Sequence, residues 1–187
     1  MVMKEIKLTK GYVALVDDED YEKLSERSWH VSFSNKNKRH KQHVYAQVTI
    51  KKDGIKKTYK IHRIILGVND PKIDVDHING NTLDNRRCNL RLCSRSDNNK
   101  NSIKRSKLDS KSPVSKYKGV RYSFIYKPNG KKHIRSKPWM AAGSENGKPV
   151  HLGYFKTELE AAKAYNEFAL KYYGEFAKIN EIEDKNE

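Results

Sequence analysis

The sequence predicts an α+β chain in four stretches: a β-rich N-terminal segment (residues 1–60), a strand–loop–strand–helix unit (61–105), a basic linker (106–116) and three short strands followed by one helix (117–180). Three observations carry this reading. Short runs such as "VYAQVTI" and "PVHLGYF" alternate or bunch apolar residues and end at Gly, Asn or Pro, as short strands closed by turns do. One stretch, Thr157 to Gly174, repeats apolar residues at helical spacing throughout its length. Between the two groups of elements, "KRSKLDSKSPVSK" holds a proline and almost nothing apolar, so it has no surface to bury.

In the first segment, "EIKLTKGYVALVDDEDYEKLSERSWHVSF" reads as strand, strand, short helix and strand. "VYAQVTI" adds a strand, and "KDG" in "KKDGIKKTYKIH" marks a hairpin turn. This segment is expected to pack on the one that follows. His30, His40 and His43 stand among lysines without a recurring carboxylate partner, and are expected to be exposed or structural.

The second segment opens with "IHRIILGVNDP", a short helix stopped at Gly67 with Pro71 beyond it. "IDVDHINGN" is a short strand entering an Asn79-Gly80 turn, and "NLRLCS" is its successor. Ser94 and Asp97 then start a helix, the hydroxyl capping a free backbone N–H and the carboxylate suiting the positive helix end. In the linker region, Lys104, Arg105, Lys107, Lys111 and Lys116 either track a phosphate backbone or are ordinary solvated lysines.

In the last segment "YKGVRYS", "WMAAGS" and "PVHLGYF" read as strands. A long turn-rich insertion, Phe124 to Pro138, separates the first two, and "ENGK" closes a tight hairpin between the others. Thr157 and Glu160 form a capping box and Gly174 stops the helix. Ala161, Tyr165, Phe168 and Tyr172 fall on one apolar stripe. Tyr154, Phe155 and Tyr165 are expected in the core.

Composition points to a polyanion. The 187 residues carry a formal net charge of +16, with 33% charged and 36% hydrophobic residues. A surplus of that size is the usual footprint for phosphates, whose neutralisation releases condensed counterions. No stretch approaches the roughly 20 apolar residues of a membrane span, and the N-terminus lacks the apolar run of a signal peptide. Cys88 and Cys93 are too few and wrongly spaced for a zinc site or a disulfide framework, so they read as packing residues in a reducing cytoplasm.

The chemistry sits in "VDHINGNTLDNRRCNLRLCSRSDNNKN". Phosphodiester hydrolysis needs an activated water, charge relief on the phosphoryl oxygens and help for the leaving oxygen. A neutral histidine near pH 7 does the first. A magnesium-like cation on a few hard oxygen ligands does the rest. Asp76, His77 and Asn98 supply that set. Neighbouring strand residues point to opposite faces, so Asp76 and His77 share a site only where the strand ends or twists.

On "DH" at Asp76-His77, "NLR" at Asn89 to Arg91 and "SRSDN" at Ser94 to Asn98, this segment resembles the HNH endonucleases of phages and mobile introns, whose fold is the ββα-metal motif. The resemblance implies that Asp76 and Asn98 hold one divalent metal, Mg2+ or Mn2+. It implies that His77 is the general base, that Asn89 bonds across the loop to orient it, and that Arg95 lies near the scissile phosphate. "HR" at His62-Arg63 also recurs in such proteins. Asparagine replaces the final histidine of the HNH pattern at position 98, as among intron-type members.

"YKGVR…WMAA…VHLGYFKTELEAAKAYNEFALKYYGEFAKIN" is similar to the DNA-binding domain of plant ethylene-response factors, a three-stranded antiparallel sheet on one helix that lays its sheet in the major groove. That resemblance implies DNA contacts from Lys118, Gly119, Arg121, Trp139 and His151. His151 departs from the family's usual tryptophan and Pro149 stands near a usual arginine. Lys127, Lys131, Lys132 and Arg135 of the insertion offer further backbone grips.

Together these readings lead one to expect a site-specific, metal-dependent nuclease of homing type acting on double-stranded DNA. It is expected as a monomer or weak dimer in the cytoplasm of a bacterium or phage-infected host, nicking because each chain has one site. A DNA-binding regulator with a relic nuclease domain is the competing reading. An RNA-directed protein is a third, disfavoured because the deep, narrow major groove of RNA does not admit a sheet.

Overall fold

The computed structural model describes residues 2–34, 43–102, 114–126 and 129–182. His40, Lys104, Arg105, Lys107, Lys111 and Lys127, and the linker up to residue 113, lie outside the described residues. The chain divides into two compact units, Met1–Asn99 and Lys100–Glu187.

In the first unit, β1 (Met3–Lys7) and β2 (Val13–Asp17) pair antiparallel, with Ile6 opposite Ala14. Helix α1 (Asp18–Ser25) begins with Asp18, Glu19 and Asp20 at its positive end. Beyond its C-terminus, Trp29 donates its indole N–H to the Leu24 carbonyl at 2.7 Å, which lets both side chains be buried. Strands β3 (His30–Phe33), β4 (Val44–Lys52) and β5 (Ile55–Lys60) form an antiparallel sheet in that order. The turn between β4 and β5 places Asp53 at φ 50° and Gly54 at φ 78°, the left-handed pair a two-residue hairpin needs. Helix α2 (Ile61–Ile65) follows, ending near Gly67 at φ 66°. Then come β6 (Asp74–His77), β7 (Leu90–Cys93) and α3 (Arg95–Asn101), with β6 and β7 antiparallel.

One core joins these pieces. Ile6, Val16 and Leu24 from the N-terminal segment, Ala46 and Val48 from β4, and Ile61, Ile65 and Leu90 further on are all buried in one cluster. Each of the valines, leucines and isoleucines among them contributes roughly 1.5–3 kcal/mol when fully buried, so β1, β2, α1 and β4 are part of the same stability unit as α2 and β7. Cys93 is buried, its Sγ 3.6 Å from the Asp74 carbonyl, whereas Cys88 is exposed and is not the packing residue that the sequence predicts.

In the second unit β8 (Val120–Tyr126), β9 (Lys132–Glu145) and β10 (Lys148–Phe155) make an antiparallel sheet with β9 central, and α4 (Glu158–Tyr173) packs on it. Thr157 and Glu160 close the capping box in both directions. The tip between β9 and β10 uses Asn146 at φ 49° and Gly147 at φ 79°. The expected turn-rich insertion is instead mostly sheet: Phe124 pairs with Ile134, and Tyr126 with Lys132, so β8 and β9 simply run on as a longer hairpin past a register shift at Ser123. The helical stripe also ends differently. Tyr172 is exposed while Tyr173 is buried, and the Tyr173 hydroxyl accepts the backbone N–H of Ser144 at 2.8 Å.

Two glycines let α4 approach the sheet. A Cβ on Gly143 would lie 2.1 Å from the Phe168 ring, and one on Gly119 would lie 1.9 Å from the Tyr165 ring. Gly143→Ala is therefore expected to destabilise the second unit by about 1–3 kcal/mol through overpacking. In the same denaturant titrations, Leu170→Ala at an exposed helix position should stay within about 0.5 kcal/mol of the parent.

Candidate functional site

Asp76 and Arg91 face each other across the β6–β7 pair, and the register turns that opposition into an ion pair. Arg91 donates from Nε at 2.9 Å and from Nη2 at 2.7 Å to Asp76 Oδ2. Asp74, two residues earlier, shares the face of β6 that Asp76 occupies. Helix α3 meets this face: Asn98 donates its Nδ2–H to Asp74 Oδ2 at 3.3 Å. The start of α3 is set by Ser94, whose Oγ accepts the Asp97 N–H at 3.1 Å and donates to the Asp97 carboxylate at 2.7 Å. The structure thus gathers Asp74, Asp76, Arg91 and Asn98 on one side of β6, and Asp74 and Arg91 are members the sequence reading did not single out.

His77, at the end of β6, belongs to the strand's other side and is buried. Its Nε2 lies 3.2 Å from Asn85 Oδ1. The Asn85 amide is oriented by its own Nδ2–H, which donates to the Leu83 carbonyl at 3.0 Å, so an oxygen faces the ring. His77 therefore donates from Nε2 and carries its lone pair on Nδ1. The His62 ring meets it edge-on at 5.0 Å, and Tyr45 lies 6.5 Å away. Burial lowers the His77 pKa, partly offset by the Asn85 hydrogen bond and by the charges of Asp76 and Asp84. His62 is pushed down to about 2, by burial first and then by the neighbouring His77, Lys60 and Arg63. Both rings are neutral at pH 7, and a neutral imidazole is the form that accepts a proton.

The loop from Ile78 to Asn89 holds the histidine in place. Asn89 Oδ1 accepts the Asn79 N–H at 2.9 Å, and its Nδ2–H donates to the Asp84 carbonyl at 2.7 Å. The Asp84 carboxylate accepts from Asn79 Nδ2 at 2.9 Å and from Arg86 Nε and Nη2 at 2.7 Å, and those bonds to Arg86 lower its pKa. The loop is also stitched to β2: Leu15 donates to the Leu83 carbonyl and accepts from Asn85 N–H, both at 2.8 Å, while Arg87 N–H donates to Asp17 Oδ2 at 2.7 Å. Asn89 orders the loop, and Asn85 is the amide that touches His77.

Arg95 is exposed at the first residue of α3. Arg63 clamps the approach to β6, donating to the Asp70 carbonyl at 2.6 Å and the Ile73 carbonyl at 2.8 Å. For Arg91 the sequence offered only a basic residue on the second strand, because the twelve-residue loop from Ile78 to Asn89 leaves no turn from which to count it opposite Asp76. Asn85 gave no signal, being one asparagine among many in that stretch.

Among the described residues no group of three or more His, Cys, Asp or Glu side chains gathers to hold a metal ion. The donor chemistry at the Asp76–Asn98 face is carboxylate and amide oxygen. Such a set fits a hard cation that keeps several of its own waters.

In the second unit, Arg121 and Met140 are register partners, as are His151 and Ala142, and Tyr154 and Met140. These share one face of the sheet, where Arg135 lies 4.3 Å over the Tyr154 ring and His151 lies 4.7 Å from it. Tyr154 is thus on the face away from α4, not in the helix-side core. Trp139 is on the helix side, edge-on to Tyr122 at 5.0 Å and packed against the buried cluster. Lys118 is half-buried, its backbone N–H on Asn180 Oδ1 at 2.6 Å, and burial lowers its pKa to about 8. Gly119 accommodates Tyr165. Among these five sequence candidates, Arg121 and His151 share the outward face.

Residues 59–100 match the family model described as HNH endonuclease. Over 120 residues the chain is 34% identical to an uncharacterized HNH endonuclease of Acanthamoeba polyphaga mimivirus, a match that takes in 64% of this chain and 54% of that protein. The chain therefore spans about half the length of this curated relative. No solved structure matches. These findings support an HNH endonuclease domain around β6, β7 and α3. No helix among the described residues is long and apolar enough to cross a membrane.

Buried neutral histidines have a thermodynamic signature. The unfolded chain binds a proton at each histidine near pH 6.5, whereas folded His62 resists protonation down to about pH 2. Stability is thus fully present above pH 6.5 and falls as pH drops below it, by about 1.4 kcal/mol per pH unit for one such group. Thermal unfolding at about pH 7.5 and about pH 5 should show this loss, and His62→Phe should make the midpoint less sensitive to acid.

Proposed function

We propose that this chain is a metal-dependent DNA endonuclease of homing type that hydrolyses one phosphodiester bond per site and so nicks duplex DNA. The observation that carries the reading is a buried His77 whose Nε2 lies 3.2 Å from the Asn85 oxygen, at the end of a strand whose Asp74 carboxylate meets Asn98 of α3. That support lies within the residues that match the HNH endonuclease family.

In this reading His77 takes a proton from water on Nδ1, and the water oxygen attacks the phosphorus in line with the departing 3′-oxygen. Asp76 and Asn98 would hold a divalent ion, Mg2+ or Mn2+, supplying charge relief at the phosphoryl and leaving oxygens. Because Asp76 and His77 turn to opposite sides of β6, the reading requires the scissile phosphate to sit at the end of that strand, reached from both sides. Asn85 keeps the imidazole in the tautomer that presents its lone pair, and Asn89 keeps the loop from letting Asn85 swing away. Arg95, exposed on the first turn of α3, reaches for the phosphate beside the scissile bond.

The second unit supplies the address. Its outward sheet face, with Arg121 and His151, follows the pattern of a β-sheet laid in the major groove, where arginine pairs bidentately with guanine. A tethered reader of this kind raises the local concentration of the cleaving unit at its target.

The competing reading, a DNA-binding regulator with an inactive nuclease fold, draws on the Asp76–Arg91 ion pair, because a carboxylate already neutralised by arginine binds a cation less tightly. Plasmid incubated with protein and Mg2+, with and without chelator, separates the two. The nuclease converts supercoiled to open-circular DNA only with free metal; a regulator leaves it supercoiled. His77→Ala should abolish the nick while duplex affinity stays at the parent value, and equal loss of binding and cleavage would remove His77 from the chemistry.

A further inference from the structure

The register of the β4–β5 hairpin sorts its side chains cleanly. Gln47 opposes Lys60, Thr49 opposes Thr58 and Lys51 opposes Lys56 on one face; Val48 opposes Tyr59, Ile50 opposes Lys57 and Lys52 opposes Ile55 on the other. The second face is the packed one, for Val48 is in the core and Ile50 and Tyr59 lie against it. The first face therefore points outward. His30 of β3 extends it, opposite Gln47 and 3.1 Å from the Gln47 amide nitrogen. It carries lysine, threonine, glutamine and histidine and not one carboxylate.

A solvated face normally intersperses both signs of charge. Here Lys51 and Lys56 stand directly opposite each other, where like charges destabilise a sheet. No ion pair relieves either among the described residues. Thr49 and Thr58 hydrogen-bond to each other at 3.0 Å, so the hairpin is knit up to its lysine tip and does not splay to separate the charges. An anion laid across both lysines removes the repulsion.

The same face runs into the candidate catalytic site. Tyr45 alternates with Gln47 onto it, its ring 5.8 Å from His62 and 6.5 Å from His77. Lys60 lies 4.1 Å over that ring. At about 3.4 Å of rise per residue, Lys51 is about 20 Å from Tyr45 along the strand, roughly half a turn of B-DNA.

We propose that the outward face of the β3–β4–β5 sheet is a docking surface for the sugar–phosphate backbone of duplex DNA, gripping one flank of the cleavage position from His77 out to the Lys51–Lys56 pair. The surface positions the duplex and carries no base readout. This deepens the nuclease reading by adding a substrate-binding surface, and its test needs no cleavage.

The full chain is titrated, in chelator, against a fluorescein-labelled mixed-sequence duplex over a series of salt concentrations, and anisotropy gives the slope of log K against log salt. Lys51→Gln/Lys56→Gln is compared with Lys7→Gln/Lys23→Gln, which removes two exposed lysines of the same unit from β1 and α1. The Lys51/Lys56 variant should bind more weakly and lose about 1.8 from the magnitude of the slope, two phosphate contacts at about 0.9 each, while the control keeps the parent slope. Without DNA its thermal midpoint should equal or exceed the parent's, because the facing charges are gone. Should it misfold, Lys51→Gln alone decides, with an expected slope loss of about 0.9. An unchanged slope and affinity, a matching loss in the control, or tighter binding of duplex RNA with the same slope loss would overturn the proposal. Plasmid nicking by the parent chain is scored separately, so a failed nuclease reading and a failed docking surface give different patterns.

Discussion

The first unit depends on the need to satisfy polar atoms inside a buried loop. Asp84 and Asn85 are almost completely out of water, yet they sit between two short strands rather than in a ladder that would pair them automatically. An unmet buried donor or acceptor costs about 1–3 kcal/mol, comparable to a sizeable share of a domain's stability. The chain meets the need by folding asparagine side chains back on the loop and by stitching the loop to β2, so the position of His77 follows from hydrogen-bond satisfaction rather than from packing alone.

That arrangement also explains how two neighbouring residues serve different surroundings. Asp76 turns to the face of β6 where Arg91 and α3 lie, and His77 turns to the side lined by Asn85, His62 and Tyr45. The alternation of a strand separates them, and the turn just past His77, where Gly80 N–H donates to the His77 carbonyl at 2.8 Å, ends the strand before the alternation continues. Arg91 gives the carboxylate a fixed orientation. It also sets a threshold, since a cation arriving at Asp76 competes with an arginine already in bonding distance.

Much of this was legible from residues alone. The order of strands and helices in both units, the Asp53-Gly54 and Asn146-Gly147 turns and the Thr157–Glu160 cap follow from local chemistry that leaves few alternatives. What escaped was set by partners distant in sequence. Asn85 is placed by the Leu15 carbonyl, the burial of Tyr173 by an N–H on β9, and Tyr154 goes to the outer face because of a register shift between His151 and Gly153. The insertion after Ser123 carries Pro, Asn and Gly, residues that favour turns. Antiparallel pairing on both sides of that tip outweighed them.

The stitching of the loop to β2 bears on how such a chain can be recombined. The matched region begins at residue 59, but the carbonyl and amide of Leu15 and the carboxylate of Asp17 complete its interior from far upstream. A cassette cut at that boundary would leave Asn85, Leu83 and Arg87 facing solvent or one another with their backbone partners gone. The separable piece is the whole of the first unit, Met1–Asn99, and not a fragment that starts near residue 60.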